Sequence, residues 1–327
     1  MSAAAPLFER MALIGIGLIG SSIARVARRE GLVRSIVCAA PTERTRAKAL
    51  ELGLVEAAYA DPAAAVDGAD LVLLCTPIGA YAEVALKLAP ALRPGAILSD
   101  VGSVKQAVVR DVGPLVPEGV HFIPGHPVAG TEFSGPESGF ADLFRDRWCI
   151  LTPPPGVNAA ALDRLRQFWT RAGSKVEVME ASHHDLVLAI TSHVPHLIAY
   201  NIVGTADDLQ TVTKSEVIKY SAGGFRDFTR IAASDPVMWR DVFLNNREAV
   251  LEMLGRFTED LIALQRAIRW GDGKTLFDLF TRTRAVRREI IDAGQEVTAP
   301  DFGRQPKAAG AAEAAPPDRQ KAVRPGP

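Results

Sequence analysis

Between about residues 10 and 180, short apolar runs alternate with stretches whose apolar residues recur at helical spacing. Ile36-Val37-Cys38-Ala39, Leu71-Val72-Leu73-Leu74-Cys75, Ala96-Ile97-Leu98-Ser99 and Trp148-Cys149-Ile150-Leu151 are apolar at nearly every position, the pattern of strands buried on both faces. The alternation predicts an α/β domain over 10–180, with a mostly parallel, doubly wound sheet. After residue 181 the strand signals stop. Ser182 followed by Asp185 predicts a helix start of the capping-box kind, continued by Leu186, Ile190 and Leu197. A second helix is expected from Ser234-Asp235-Pro236, a cap residue followed by proline in the first turn. Its apolar residues Val250, Leu254, Phe257, Leu261, Leu264 and Ile268 form one stripe. A run of about 35 residues would be about 50 Å long, more than a small domain covers, and so predicts a partner surface and a homodimer. Residues 181–296 are thus expected to be an all-helical substrate and dimerisation domain. Residues 297–327, mostly Ala, Pro, Gly and charge, are expected to be a disordered tail.

Met11-Ala-Leu-Ile-Gly15-Ile-Gly17-Leu18-Ile19-Gly20 places three glycines between a β-prone run and a helical pattern (Ile23, Ala24, Val26, Ala27). Gly15 would allow a tight strand-to-helix turn, Gly17 a close approach to a pyrophosphate, and Gly20 close packing of helix on sheet. The free N–H groups at the helix start would face the anion. A dinucleotide site is therefore expected here.

Composition narrows the field. The chain has 327 residues, 48% of them apolar, and a net charge of −1, which gives no support for a nucleic-acid partner. It contains no uninterrupted apolar run of transmembrane length, and its first ten residues lack the pattern of a secretory signal. Cys38, Cys75 and Cys149 lie far apart in apolar surroundings, as reduced core thiols do. A soluble cytoplasmic protein is expected, with no membrane partner.

Four segments could carry chemistry. Gly125-His126-Pro127-Val128-Ala129-Gly130-Thr131-Glu132 follows a strand-like run, Val120 to Ile123, and so leaves the sheet edge where ligands bind. His126 on that loop is a natural partner or base for a substrate hydroxyl. Thr191-Ser192-His193-Val194-Pro195-His196 sets two histidines three apart on one helix face, with Pro195 expected to kink the helix. Without a third ligand the pair gives no metal site, and none is expected. His183 and His184, nearer the start of that helix, are expected to be solvated. Gly223-Gly224-Phe225-Arg226-Asp227-Phe228-Thr229-Arg230 sets two arginines four apart. One could pair with Asp227 or Glu132, leaving the other for a substrate carboxylate. Asp100-Val101-Gly102-Ser103-Val104-Lys105 follows another strand end, where Ser103 could cap a helix while facing the cofactor.

In their order along the chain, from the glycine turn at Gly15 through Asp100–Lys105 to Asp235-Pro-Val-Met-Trp239-Arg240-Asp241, these segments resemble the prephenate dehydrogenase family over about residues 10 to 296, most closely its cyclohexadienyl (prephenate/arogenate) members. The resemblance implies a Rossmann domain followed by a helical dimerisation domain like that of 6-phosphogluconate dehydrogenase relatives. It implies oxidative decarboxylation of prephenate to 4-hydroxyphenylpyruvate, or of arogenate to tyrosine, with NAD(P)+. Carried over by position, His126 accepts the hydrogen bond of the ring hydroxyl and Ser103 orients that hydroxyl or the nicotinamide. Arg230 binds a substrate carboxylate, His196 and Thr131 line the substrate pocket, and Trp239 reaches the neighbouring subunit's site. Gly15, Gly17, Leu18, Ile19, Gly20, Thr76, Pro77 and Ser103 contact the cofactor. Where many NAD-binding members carry an acid, this chain has Ala40. Thr42, Arg44 or Arg46 would accommodate a 2′-phosphate, and Glu43 the ribose, so NAD and NADP both stay open. Two other readings also stay open: another β-hydroxyacid dehydrogenase, with Lys214 or Lys219 as its catalytic lysine, and a non-catalytic NAD(P)-binding sensor.

Overall fold

The computed structural model describes residues 5–131, 133–208 and 214–293. Glu132 and the tail from Val297 lie outside the described residues. Nine strands are described: β1 (Phe8–Ile14), β2 (Val33–Ala39), β3 (Ala57–Tyr59), β4 (Leu71–Leu74), β5 (Ile97–Asp100), β6 (His121–Phe122), β7 (Gly125–Pro127), β8 (Trp148–Leu151) and β9 (Lys175–Val178). Helices α1 (Leu18–Arg29), α2 (Glu43–Glu51), α3 (Pro62–Val66), α4 (Tyr81–Leu88), α5 (Gln106–Val112) and α6 (Ala159–Arg171) intervene. Beyond β9 the described chain is helical: α7 (Ala181–Leu188), α8 (Val194–Asp208), α9 (Lys214–Tyr220), α10 (Gly223–Thr229), α11 (Pro236–Asn245), α12 (Arg247–Trp270) and α13 (Gly273–Asp292).

The first six strands form one parallel sheet in the order β3-β2-β1-β4-β5-β6. Its central strands alternate their side chains between two cores, because successive residues point to opposite faces. Met11, Leu13, Leu71 and Leu73 face α1 and α6, among Ile23, Leu165, Phe168 and Trp169. Ala12, Ile14, Val72 and Leu74 face α3, α4 and α5, among Val66, Leu88 and Val112. Each such aliphatic or aromatic side chain, fully buried, contributes about 1.5–3 kcal/mol. The doubly wound sheet is thus the expected one, with one correction. Trp148–Leu151 does not join it: β7, β8 and β9 form a second sheet, with β7 antiparallel to β8. The Pro124 carbonyl accepts from Thr152 N at 2.8 Å, just before the β7–β8 pairing begins. His126 therefore sits on a strand and not on a free loop, and its backbone is fixed by the ladder to Ile150.

The helices differ from expectation in how two of them begin and in where the long one ends. The first helix begins after Glu180, and Asp185 does not cap it. Asp185 instead caps α5, taking Lys105 N at 2.7 Å and Gln106 N at 2.9 Å. Ser103 is accordingly not the cap of α5; the residue before the helix is Lys105, and the carboxylate comes from far along the chain. Pro195 is absorbed by a π turn, Ala189–His193, between α7 and α8, a single wide turn that accommodates the missing donor. The expected 35-residue helix is two, because Asn246 breaks it with φ −111° and ψ 33° and turns its amide inward. Asp235 caps α11 as expected, accepting from Met238 N at 2.9 Å.

By composition alone Ala181–Asp208 is also long and apolar enough to span a membrane, which counting uninterrupted apolar runs did not reveal. Its buried His184, Asp185 and His193 bind groups on other elements, as a wall of a folded domain does. The chain divides into two compact units, 1–263 and a second from Leu264. In the first, Leu251, Leu261 and Ile262 of α12 are exposed; in the second, Trp270, Phe277 and Phe280 are exposed.

Candidate active site

The glycine turn is built as the chemistry of a dinucleotide requires. Gly15 has φ +98°, and a Cβ there would lie 2.7 Å from the Cys75 carbonyl carbon. A Cβ on Gly20 would lie 2.5 Å from the Gly15 oxygen, so the first turn of α1 sits directly on the turn that precedes it. At Gly17, the residue before α1, a Cβ would meet nothing within 4 Å. No side chain caps α1 and no acid stands in its first turn, so its N–H groups suit a phosphate. Leu18 and Ile19 open the helix half-buried. Thr76 N lies against this turn, the buried Thr76 Oγ1 has no partner among the described residues, and Pro77 follows it exposed. These features fit a dinucleotide.

The β2–α2 turn is more exposed. Ala40 is buried and offers no carboxylate. Thr42 caps α2, accepting from Thr45 N at 3.2 Å. Arg46 Nη1 donates to the carbonyls of Ala40 at 2.7 Å and Pro41 at 2.9 Å, which holds its guanidinium at the turn. Arg44 is exposed in the first turn of α2.

The histidine cluster is dry. His126 Nδ1 lies 2.8 Å from His184 Nε2, and His184 Nδ1 lies 2.8 Å from Asp185 Oδ1. Since His184 is wholly buried, its expected solvation is corrected. Burial pushes His126 well below the ordinary histidine value of 6.5, helped by His184, Lys105 and His193. Burial lowers His184 too, against the pull of Asp185. His193 is pushed to about 4, again by burial. Neutral rings follow at neutral pH. Asn246 Nδ2 donates to the Asp185 carbonyl at 2.9 Å and lies 3.0 Å from His193 Nδ1. Beneath the cluster, Lys105 Nζ pairs with Asp100 and donates to the Gly125 carbonyl at 2.6 Å. Asp100 Oδ1 accepts from Gly125 N at 3.0 Å. The buried pair therefore grips the strand that carries His126.

The Trp239 ring stacks on His196, with centroids 3.7 Å apart, and meets His193 edge-on at 6.0 Å. Trp239 is buried in its own chain. His196 Nδ1 donates to the Ser192 carbonyl at 2.8 Å, and burial first and Arg230 second lower its pKa. His126, His193, His196, Trp239 and Arg230 are thus gathered in one region, and the half-buried Ser103 borders it through its contact with His193. Arg226 pairs with Asp227 at 3.0 Å. Thr131 Oγ1 accepts from Phe133 N at 3.3 Å and has no described tie to the cluster. The alternative base Lys219 lies over the Tyr220 ring at 5.1 Å, while the side chain of Lys214 lies outside the described residues. Sequence reasoning missed His184, Asp185 and Asn246. The adjacent His-Asp pair just past the last strand was the available signal.

Comparison with known proteins agrees with this architecture. Residues 23–178 match the family described as prephenate dehydrogenase, nucleotide-binding domain, and residues 180–282 match prephenate dehydrogenase, dimerization domain. The chain is 41% identical to cyclohexadienyl dehydrogenase of Zymomonas mobilis over 86% of its own length and 96% of the relative's. It is 29% identical to prephenate dehydrogenase of Bacillus subtilis, over 90% and 79% of the two chains. Among solved structures, prephenate dehydrogenase of A. aeolicus in complex with hydroxyphenyl propionate and NAD+ superposes with a TM-score of 0.80 at 32% identity, covering 89% of this chain and 100% of that one. Synechocystis arogenate dehydrogenase gives 0.72 at 28% identity, covering 86% and 99%.

Proposed function

The chain belongs to the prephenate dehydrogenase family, and from that premise we propose how its own residues carry the reaction. It is an NAD(P)-dependent dehydrogenase that converts prephenate to 4-hydroxyphenylpyruvate, arogenate to tyrosine, or both, in tyrosine biosynthesis. Gly15, Gly17, Leu18, Ile19, Gly20, Thr76 and Pro77 hold the dinucleotide, with its pyrophosphate on the N-terminus of α1. When bound, NAD(P)+ takes the hydride from the ring carbon that bears the hydroxyl.

His126 accepts the hydroxyl proton as that hydride leaves. The observation that carries this role is the state of its ring. One nitrogen is committed to His184, the ring is held neutral by burial, and Nε2 has no partner among the described residues. Loss of carbon dioxide then returns the bonding electrons to the ring as it becomes aromatic, and the proton goes back from His126 to the phenolate oxygen. Prephenate dianion and NAD(P)+ thus balance against the product monoanion, carbon dioxide and NAD(P)H, with no net proton. Positioning and one proton acceptor are sufficient. Arg230 holds a substrate carboxylate, and His196, Thr131 and Trp239 wall the pocket. Ser103 orients the hydroxyl or the nicotinamide.

The protein is proposed to work as a cytoplasmic homodimer. The match to a dimerization domain and the exposed apolar side chains of α12 and of α13 support this. Incubating the protein with prephenate or arogenate, each with NAD+ or NADP+, and following nicotinamide absorbance tests the function. Reduced cofactor in at least one of the four mixtures is expected. Cofactor binding with no reduction in any of them would leave a non-catalytic sensor.

A further inference from the structure

We propose that His184 and Asp185 are positioning residues that fix which nitrogen of His126 carries the proton, and so leave Nε2 as the proton acceptor. The inference rests on the role of His126 given above and goes beyond it by assigning a device to two residues that do not touch substrate.

The assignment follows from donors and acceptors taken in order. Asp185 accepts two backbone N–H groups, from Lys105 at 2.7 Å and Gln106 at 2.9 Å, which suit a carboxylate and anchor it. At 2.8 Å from Asp185 Oδ1, His184 Nδ1 must donate. A neutral imidazole has one N–H, so His184 Nε2 is left as an acceptor. His126 Nδ1, 2.8 Å away, must then donate to it. The single proton of neutral His126 is thereby spent on Nδ1, and Nε2 keeps its lone pair. Reversing any one bond reverses all of them, since each ring passes the choice to the next.

Burial is the main support of the neutral state. Around His126, the facing His184, Lys105 and His193 add to it; around His184, Lys105 adds to it while Asp185 and Asp100 oppose it. When His126 gains a proton, the Asp185 charge lies one ring away through His184. The chain therefore sets the tautomer before the proton moves and stabilises the imidazolium after it.

The test uses the intact enzyme with ¹⁵N-histidine labelling, cofactor bound. The ring nitrogen shifts of His126 are expected to show a protonated Nδ1 and a bare, pyridine-type Nε2. His184→Leu removes the acceptor and is expected to move the proton to Nε2 or divide it between the two. In the same variant kcat should fall about 10- to 100-fold with KM nearly constant, less than loss of the acid–base group itself. His184→Gln, whose side-chain oxygen can still accept from Nδ1, should keep the wild-type tautomer and recover most of kcat. Asp185→Asn should shift the tautomer in the direction of His184→Leu, although loss of the α5 cap can impair its folding, in which case the His184 variants decide. A protonated Nε2 in the wild type, or an unchanged His126 tautomer in folded His184→Leu, overturns the proposal. These shifts are read without turnover, so a wild type that reduces no cofactor would refute the function and leave the tautomer measurement standing.

Discussion

The histidine cluster and the β2–α2 turn both flank the strand ends of one Rossmann sheet, yet they differ in their access to water. His126, His184 and His193 are buried, and each has a ring nitrogen committed to another residue. Thr42, Glu43 and Arg44 are exposed. In the dry region charges interact at low effective dielectric, and an orphaned partner is expensive. In the wet region the same groups are screened by solvent. The difference teaches where this enzyme can vary. Chemistry at the cluster tolerates little change, whereas the choice between NAD and NADP lies where substitutions cost least.

The largest expected effect falls on the acceptor itself. His126→Asn should lower kcat about 10²- to 10⁴-fold with little change in KM, because its interaction strengthens as the proton moves. A variant with normal kcat would place the chemistry elsewhere. Lys105→Met leaves Asp100 buried without its cation and should cost about 3–5 kcal/mol of stability in a urea titration. A loss near zero would show that water reaches the pair and would erase the contrast between the two regions.

Acid should expose the same contrast. His193 titrates near 4 in the fold, against an ordinary value of 6.5 that the unfolded chain retains. The unfolded chain therefore binds more protons across that window, and stability falls as pH drops from 6.5 toward 4, by at most about 1.4 kcal/mol per pH unit for this group. Melting temperatures of the wild type and His193→Phe over this range should diverge, with the shallower slope in the variant.

Arg230→Ala should act mainly on substrate KM, raised roughly 30-fold. That corresponds to about 2 kcal/mol, the low end for a lost charge partner, as suits a half-buried guanidinium. Unchanged KM would remove it from carboxylate binding. The smallest effect belongs to the wet end. Arg44→Ala should weaken NADP+ by about 0.2–1 kcal/mol and leave NAD+ unchanged. Equal loss for both cofactors would deny it a role at the 2′-phosphate, and Ala40→Asp should favour NAD+ if the ribose lies there.

How much was legible depended on the reach of each interaction. The turn at Gly15 could be read because its positive φ and the close approach of Gly20 to it belong to one strand-turn-helix, whereas its contact with Cys75, far along the chain, could not. The cap at Asp235 was legible for the same reason, since the N–H it accepts from, that of Met238, lies three residues away. Asp185 looked like a cap for its own helix, and only folding shows that it caps α5, 80 residues earlier. Asn246 was invisible within the single long helix expected there, because apolar spacing records burial and not the inward turn of one amide.

The sequence by itself determined the alternating strands and helices, the glycine turn, and the residue types that chemistry would need, since apolar period and backbone conformation are local properties. Tertiary structure alone decided that His126 stands on a strand of a second sheet and that His184 is buried. It also decided that the Asp185 carboxylate caps a helix 80 residues earlier while holding the ring of its neighbour His184. Those outcomes depend on donors and acceptors 58 and 80 residues apart meeting in a buried interior, where an unpaired polar group is costly.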